Sequence, residues 1–276
     1  MIDILLSTYN GEKYLAEQLE SIVKQTYSAW TLYIRDDGST DSTNTIIDNY
    51  CLNYTEKIKK ISDTYDGNVG VVRSFELLLK QSNSEYIMFC DQDDVWLPEK
   101  VEMAITEIKK IESEKNVIPI IICSDLYVVD NKLNKISDSF WKYTRISPQY
   151  LQEPKSLATN NYVTGCTMLF NNKVKQISLP FGKYTTMHDA WIALKVLSSG
   201  GIIQRLPVSL IMYRQHEKNE IGAISISYNI NYFTSKVIGI KTVLSANYKN
   251  YKQAKEILQI SLFRFVYCKI KYLIKR

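Results

Sequence analysis

Three short polar clusters each follow an apolar run: Ser7-Thr8-Tyr9-Asn10-Gly11-Glu12, Asp36-Asp37-Gly38-Ser39 and Asp91-Gln92-Asp93-Asp94. In open α/β sheets, ligands bind beyond the carboxyl ends of the strands, so polar residues recurring there point to a binding edge. Singly, each has a modest explanation. Asn10-Gly11 and Asp36-Asp37-Gly38 suit turns, and Asp93 or Asp94 suits a cap for a helix near Pro98. Together they favour chemistry. Asp91 and Asp93, in a D-x-D arrangement directly after Tyr86 to Cys90, would bring hard oxygen ligands together, as Mg²⁺ or Mn²⁺ prefers. Such an ion takes its remaining ligands from phosphate and water, which implies a diphosphate substrate. Neither G-x-x-x-x-G-K-[ST] nor G-x-G-x-x-G occurs, so P-loop and dinucleotide folds lose their signatures.

Further along, Met187-His188-Asp189-Ala190-Trp191 sets a carboxylate at the start of a helix, where it serves as an N-cap or as a general base. Tyr213-Arg214-Gln215-His216 ends an apolar run in a lone histidine, a residue more often structural than a ligand.

The elements that must position these residues alternate between β-type runs and helical periodicity, as a parallel α/β sheet requires. Strands are expected at Ile2 to Ser7, Trp30 to Arg35, Ile58 to Ile61, Tyr86 to Cys90, Ile118 to Asp125, Val163 to Phe170 and Ile202 to Tyr213. Helices are expected at Glu12 to Lys24, Ser42 to Leu52, Val71 to Gln81, Pro98 to Glu114 and Ala190 to Leu197. The stretch from 126 to Leu157 shows no regular period and reads as a substrate-binding or partly disordered loop.

The chain has 276 residues, 45% hydrophobic and 23% charged, enough for one large domain with a full core. Five cysteines without C-x-x-C spacing, and only two histidines, argue for reduced core thiols and against structural zinc. The apolar start, Ile2 to Leu6, is too short for a signal peptide or a span, so a cytoplasmic location is expected. Charge is uneven. Residues 229–276 carry ten Lys or Arg against one acid, Glu256, interleaved with tyrosine and aliphatic residues. This is the pattern of an amphipathic helical tail for an anionic membrane surface, the alternative being a helical cap on the domain. Nucleic acid is not an expected partner, because no nucleic-acid motif accompanies the charge.

Taken together, Ser7 to Gly11, Asp36 to Ser39 and Asp91-Gln92-Asp93-Asp94-Val95-Trp96-Leu97-Pro98 resemble the family 2 glycosyltransferases of the GT-A fold. Ile34 to Ser39, Thr164-Gly165-Cys166-Thr167-Met168, Met187-His188-Asp189 and Tyr213 to Glu217 are most similar to bacterial rhamnosyltransferases of cell-wall and capsular polysaccharide assembly. The resemblance implies an α/β fold with a Rossmann-like mixed sheet flanked by helices, followed by the basic helical extension. It implies that Thr8, Tyr9 and Glu12 form the first nucleotide-binding loop and that Asp37, with Asp36 beside it, recognises the base. Asp93 would be the principal metal ligand, Asp91 would contact metal or ribose, His216 would be a late metal or diphosphate contact, and Asp189 the catalytic base. Cys166 stands where the family often has a second glycine, and packing is all that is expected of it.

The implied protein is an inverting glycosyltransferase using Mn²⁺ or Mg²⁺, with a catalytic domain over 1–228 (a nucleotide half to about 125, an acceptor half beyond it) and the tail over 229–276. The expected donor is dTDP-L-rhamnose, or alternatively a UDP-hexose or UDP-N-acetylhexosamine. The expected acceptor is a lipid-linked saccharide at the inner face of the cell membrane. A non-catalytic sugar-binding subunit is the alternative of another class, and it would be expected to lack these acids.

Overall fold

The computed structural model describes residues 1–61, 67–115, 118–216 and 247–276. The boundary expected at 228/229 lies outside them, as do Lys236 and Lys241.

Apolar runs form the parallel strands β1 (Ile2–Thr8), β2 (Trp30–Asp36), β3 (Ile58–Lys60) and β4 (Tyr86–Cys90). The amphipathic helices α1 (Leu15–Val23), α2 (Thr43–Asn53) and α3 (Val71–Gln81) connect them. β5 (Val95–Trp96) and α4 (Lys100–Glu114) follow the acidic cluster. Next come β6 (Ile120–Val129), β7 (Lys135–Ser137), β8 (Leu169–Asn171) and the long β9 (Ile202–Arg214). The short helices α5 (Phe140–Tyr143) and α6 (Pro154–Leu157) precede β8, and α7 (Asn172–Ser178) and α8 (His188–Ser198) follow it. After β9, residues 247–258 are helical (α9) and α10 spans Leu262–Lys275.

The sheet order is β3-β2-β1-β4-β8-β6-β9-β5, with β7 paired to β6. Pairing is parallel from β3 to β4, antiparallel at β4–β8 and β8–β6, parallel at β6–β9 and antiparallel at β9–β5. The sheet is therefore mixed, and helices cover both faces. One face packs Ile2, Ile4 and Leu6 against α1 and α4, and the other packs Leu5, Ile87 and Phe89 against α3 and α8.

Three local expectations need correction. The strand expected over Val163 to Phe170 is extended only from Leu169, because Gly165–Thr167 turns as a 3₁₀ helix. The stretch from 126 to Leu157 is ordered. Asp125 accepts hydrogen bonds from the amides of Phe140 and Trp141 at 3.0 and 3.2 Å, and so pins α5 to β6. Its elements are three or four residues long, too short for periodicity to show. The acidic cluster does not cap α4, whose first turn follows Glu99.

Candidate active site

The carboxyl ends of β1, β2 and β4 open onto one cleft of about 690 Å³. One wall is built from the first two polar clusters. Thr8 Oγ1 donates to Gln92 Oε1 at 2.5 Å, the Tyr9 amide donates to the same oxygen at 2.9 Å, and Gln92 Nε2 donates back to the Tyr9 carbonyl at 3.2 Å. Gln92 thus joins the first loop to the third. Tyr9 remains exposed at the cleft mouth.

Asp37 is buried and paired with the equally buried Arg35 at 2.6 Å. It also accepts from the amides of Val69 and Gly70 at 2.9 Å each, which ties the end of β2 to the start of α3. Gly38 turns at φ +87°, and a Cβ there would meet the Gly67 backbone at 3.1 Å, so only glycine suits this close approach. Asp36 lies outside the cleft lining and holds the same turn, accepting from the amide of Ser39 and from Asn44 Nδ2. Glu12 also lies outside the cleft lining, where it accepts from the Ser42 amide at 3.0 Å.

The third cluster divides in two. Asp93 Oδ2 lies 2.8 Å from His216 Nε2. Asp91, Asp94 and Cys166 instead converge, one ligand atom from each within 4.8 Å of the others. Asp94 is fully buried, accepts from the Arg214 amide at 3.2 Å through Oδ1, and has no hydrogen-bond partner for Oδ2. Burial, then the charges of Asp93 and Asp189, push the Asp91 carboxyl up to about 7. Burial and the charges of Asp93 and Asp91 raise Asp94 as well. Lys100, also buried, stacks its ammonium 3.4 Å from the centre of the Trp96 ring and is lowered to about 7 by desolvation. Carboxyls that burial and the charge of Asp93 both raise, with one buried oxygen unpartnered, form a site whose repulsion a divalent cation would relieve. The residues present fit such an ion.

Arg214 locks this corner. β9 pairs with β5 through Met212 and Val95, so the guanidinium reaches the Asp93 carbonyl at 2.8 Å, the Asn131 carbonyl at 3.0 Å and the Glu17 carboxylate.

Asp189 lies in the first turn of α8, whose N-cap position is Met187. It is therefore not the cap. Its Oδ2 accepts from the Gly165 amide at 3.0 Å and its Oδ1 from the Ala190 amide. Burial raises this carboxyl to about 6 against the opposing pull of those amides. The neighbouring His188 is buried between Phe75 and Phe89, at ring-centre distances of 4.1 and 5.0 Å, with neither nitrogen hydrogen-bonded. Desolvation lowers it to about 3, so it stays neutral. A Cβ on Gly165 would meet His188 Nε2 at 2.6 Å.

Thr8, Tyr9, Asp37, Asp91, Asp93 and Asp189 all line the cleft, while Asp36 and Glu12 support its loops and His216 stands behind Asp93. Several participants lie outside the expected set. Cys166 does more than pack, since its thiol sits against Asp91 and Asp94. Gln92 stood inside the D-x-D in plain view. Lys249 and Asn250, from α9, also reach the cleft, a placement that no local pattern encodes.

A mixed sheet of this order, with a cleft at its strand ends, has the arrangement of the GT-A glycosyltransferase fold. The comparisons agree. Residues 3–177 match Glycosyl transferase family 2, and the chain belongs to that family. It is 29% identical over 247 residues to the dTDP-rhamnosyl transferase RfbG of Shigella flexneri, covering 82% of this chain and 76% of that one. It is 31% identical over 111 residues to the UDP-Glc:alpha-D-GlcNAc-diphosphoundecaprenol beta-1,3-glucosyltransferase WfgD of Escherichia coli, covering 40% and 42%. Among solved structures, the S. aureus TarS 1-349 complex with UDP-GlcNAc matches with a TM-score of 0.58 at 20% identity, over 79% of this chain and 59% of that one. The mannosyltransferase PcManGT from Pyrobaculum calidifontis, in complex with GDP-Man and Mn²⁺, matches with a TM-score of 0.60 at 15% identity, over 79% and 58%. The chain thus spans about three fifths of those solved chains. No helix among the described residues is long and apolar enough to cross a membrane.

Proposed function

We propose that this glycosyltransferase inverts the anomeric centre of a dTDP-L-rhamnose donor and transfers the sugar to a lipid-linked saccharide of a cell-surface polysaccharide. The observation that carries the chemistry is Asp189, a cleft-wall carboxylate oriented by two backbone amides and raised by burial to about 6. That value suits a general base working near neutral pH. Asp189 takes the proton of the acceptor hydroxyl while that oxygen attacks the anomeric carbon, and the nucleoside diphosphate leaves from the opposite face.

Asp93, with His216 beside it, and Asp91, which converges with Asp94 and Cys166, would hold Mn²⁺ or Mg²⁺, which supplies charge stabilisation to the departing diphosphate when bound. Thr8, Tyr9 and Asp37 would hold the nucleoside, with Asp36 and Glu12 fixing the loops that present them. The 29% identity to RfbG supports rhamnose. A UDP-hexose is the second reading, supported by the 31% identity to WfgD over 111 residues. A lipid-linked acceptor also agrees with WfgD, whose name specifies a diphosphoundecaprenol acceptor, and with the basic C-terminal helices. The enzyme would then work at the inner membrane face as a peripheral protein.

A panel of nucleotide sugars with Mn²⁺ or Mg²⁺, scored by release of nucleoside diphosphate, tests the reading. Asp189→Asn should abolish turnover on the preferred donor while nucleotide affinity stays within about twofold. Near-normal transfer by that variant would remove Asp189 from the mechanism.

A further inference from the structure

The last helix has three faces. Phe265 and Tyr272 are buried against the protein; the Tyr272 hydroxyl accepts from the Ser147 amide at 3.0 Å, and Lys269 Nζ donates to the Thr159 carbonyl at 2.7 Å. That face caps the domain. A second face carries Phe263, Val266, Ile270, Leu273 and Ile274, all exposed, with Phe263 at 84% and Ile274 at 79%. Their spacing of three and four residues places them in one stripe along the whole helix. The third face carries Arg264, Lys271 and Lys275, and there is no acid anywhere in α10.

Beside the cationic face lies a groove of about 580 Å³ between α10 and residues 150–156. Arg264, Lys271 and Lys275 line it from one side and Lys155 from the other, with Tyr150 and Tyr267 between them and Glu153 as the one acid. Tyr267 borders both the groove and the apolar stripe, so the two surfaces are continuous. At 14 residues, α10 is about 21 Å long, shorter than a bilayer's hydrocarbon core of about 30 Å, so it suits lying in the interface plane rather than crossing it. A second copy of the chain is a poorer occupant. Two such helices would bring their cationic edges together with no acid on either to answer them.

We propose that α10 docks in the plane of an anionic bilayer, with its apolar stripe at the acyl boundary and a phospholipid phosphate held in the groove by Lys155, Arg264, Lys271 and Lys275. This deepens the peripheral-membrane part of the functional reading and gives it a site. α9 precedes α10 directly and carries Lys249 and Asn250 into the catalytic cleft.

The experiment is co-sedimentation of the full chain with vesicles of mixed phosphatidylglycerol and phosphatidylcholine, and with pure phosphatidylcholine. The wild type should pellet with the anionic vesicles and release in high salt. Lys271→Glu and Lys275→Glu should each weaken partitioning at least about fivefold, and Phe263→Ser with Ile274→Ser at least tenfold. Lys109→Glu, the same charge change at an exposed site on α4, should leave it within twofold. Equal loss in Lys109→Glu would overturn the groove, and a wild type that stays in the supernatant would overturn membrane docking. A concentration-dependent dimer abolished by Phe263→Ser would instead assign the stripe to a second copy. Release of nucleoside diphosphate from a soluble donor should be unchanged in all the α10 variants. Its absence in the wild type would count against the catalytic reading without touching this one.

Discussion

Nε2 of His216 lies 2.8 Å from Oδ2 of Asp93, although the two residues are 123 positions apart. The contact exists because β9 returns to the acidic loop and pairs with β5, and because Arg214 is tied to the Asp93 carbonyl. If the two side chains form one ion site, Asp93→Ala and His216→Ala should each weaken nucleotide binding in Mn²⁺ by more than tenfold. The double variant should lose little more than the worse single one. Calorimetry with and without chelator measures this, and full additivity would separate the two roles.

The pH dependence follows from burial of Asp189, which raises its carboxyl to about 6. A base must be deprotonated to accept a proton, so kcat/KM should rise with pH through about 6 and level off above it. Acid should therefore inhibit at milder pH than for an exposed carboxylate, whose pKa lies near 4. A profile still flat at pH 5 would mean that Asp189 is not the base.

Gly165→Ala should slow turnover by about a hundredfold with little change in nucleotide affinity. The added methyl would meet His188 Nε2 at 2.6 Å, and the imidazole cannot yield easily between Phe75 and Phe89. Moving the Gly165 amide moves the oxygen of Asp189 that it holds, and misplacements near 1 Å can cost about that factor. Stopped reactions and nucleotide titration, run side by side, distinguish this from a loss of donor binding.

Arg214→Ala should destabilise the fold by about 3 kcal/mol, lowering the thermal midpoint by roughly 5–10 °C. The guanidinium is buried and bonded to two backbone carbonyls that would lose a donor, while Glu17, half exposed, can turn to water. Circular dichroism melts would show it. An unchanged midpoint would mean that the corner repacks.

Much of this arrangement is legible in the sequence, for a physical reason. Ser7-Thr8, Asp36-Asp37 and Asp91 to Asp94 follow buried runs of alternating strand and helix, and local periodicity is enough to put all three at one sheet edge. Pairings that depend on distant chain are not legible. Nothing near Cys166 says that it will meet Asp91 and Asp94, because a 3₁₀ turn, hidden in an apolar run that looks like strand, aims its thiol there. Likewise, the α10 sequence announces amphipathicity. Only the structure shows that Phe265 and Tyr272 use up one side and leave a second apolar side uncovered.

The change of pairing direction between β4 and β8 divides the cleft wall into two parts of different construction. Strands β1 to β4 are joined by compact local crossovers, and their loops bear the residues assigned to the nucleotide. Beyond the seam, Phe140, Ile146 and Val163 come from short, irregular connections that can lengthen or be exchanged without re-registering the parallel strands. A chimaera that grafts a relative's residues 126–168 onto this chain should inherit a new glycan acceptor while keeping its donor.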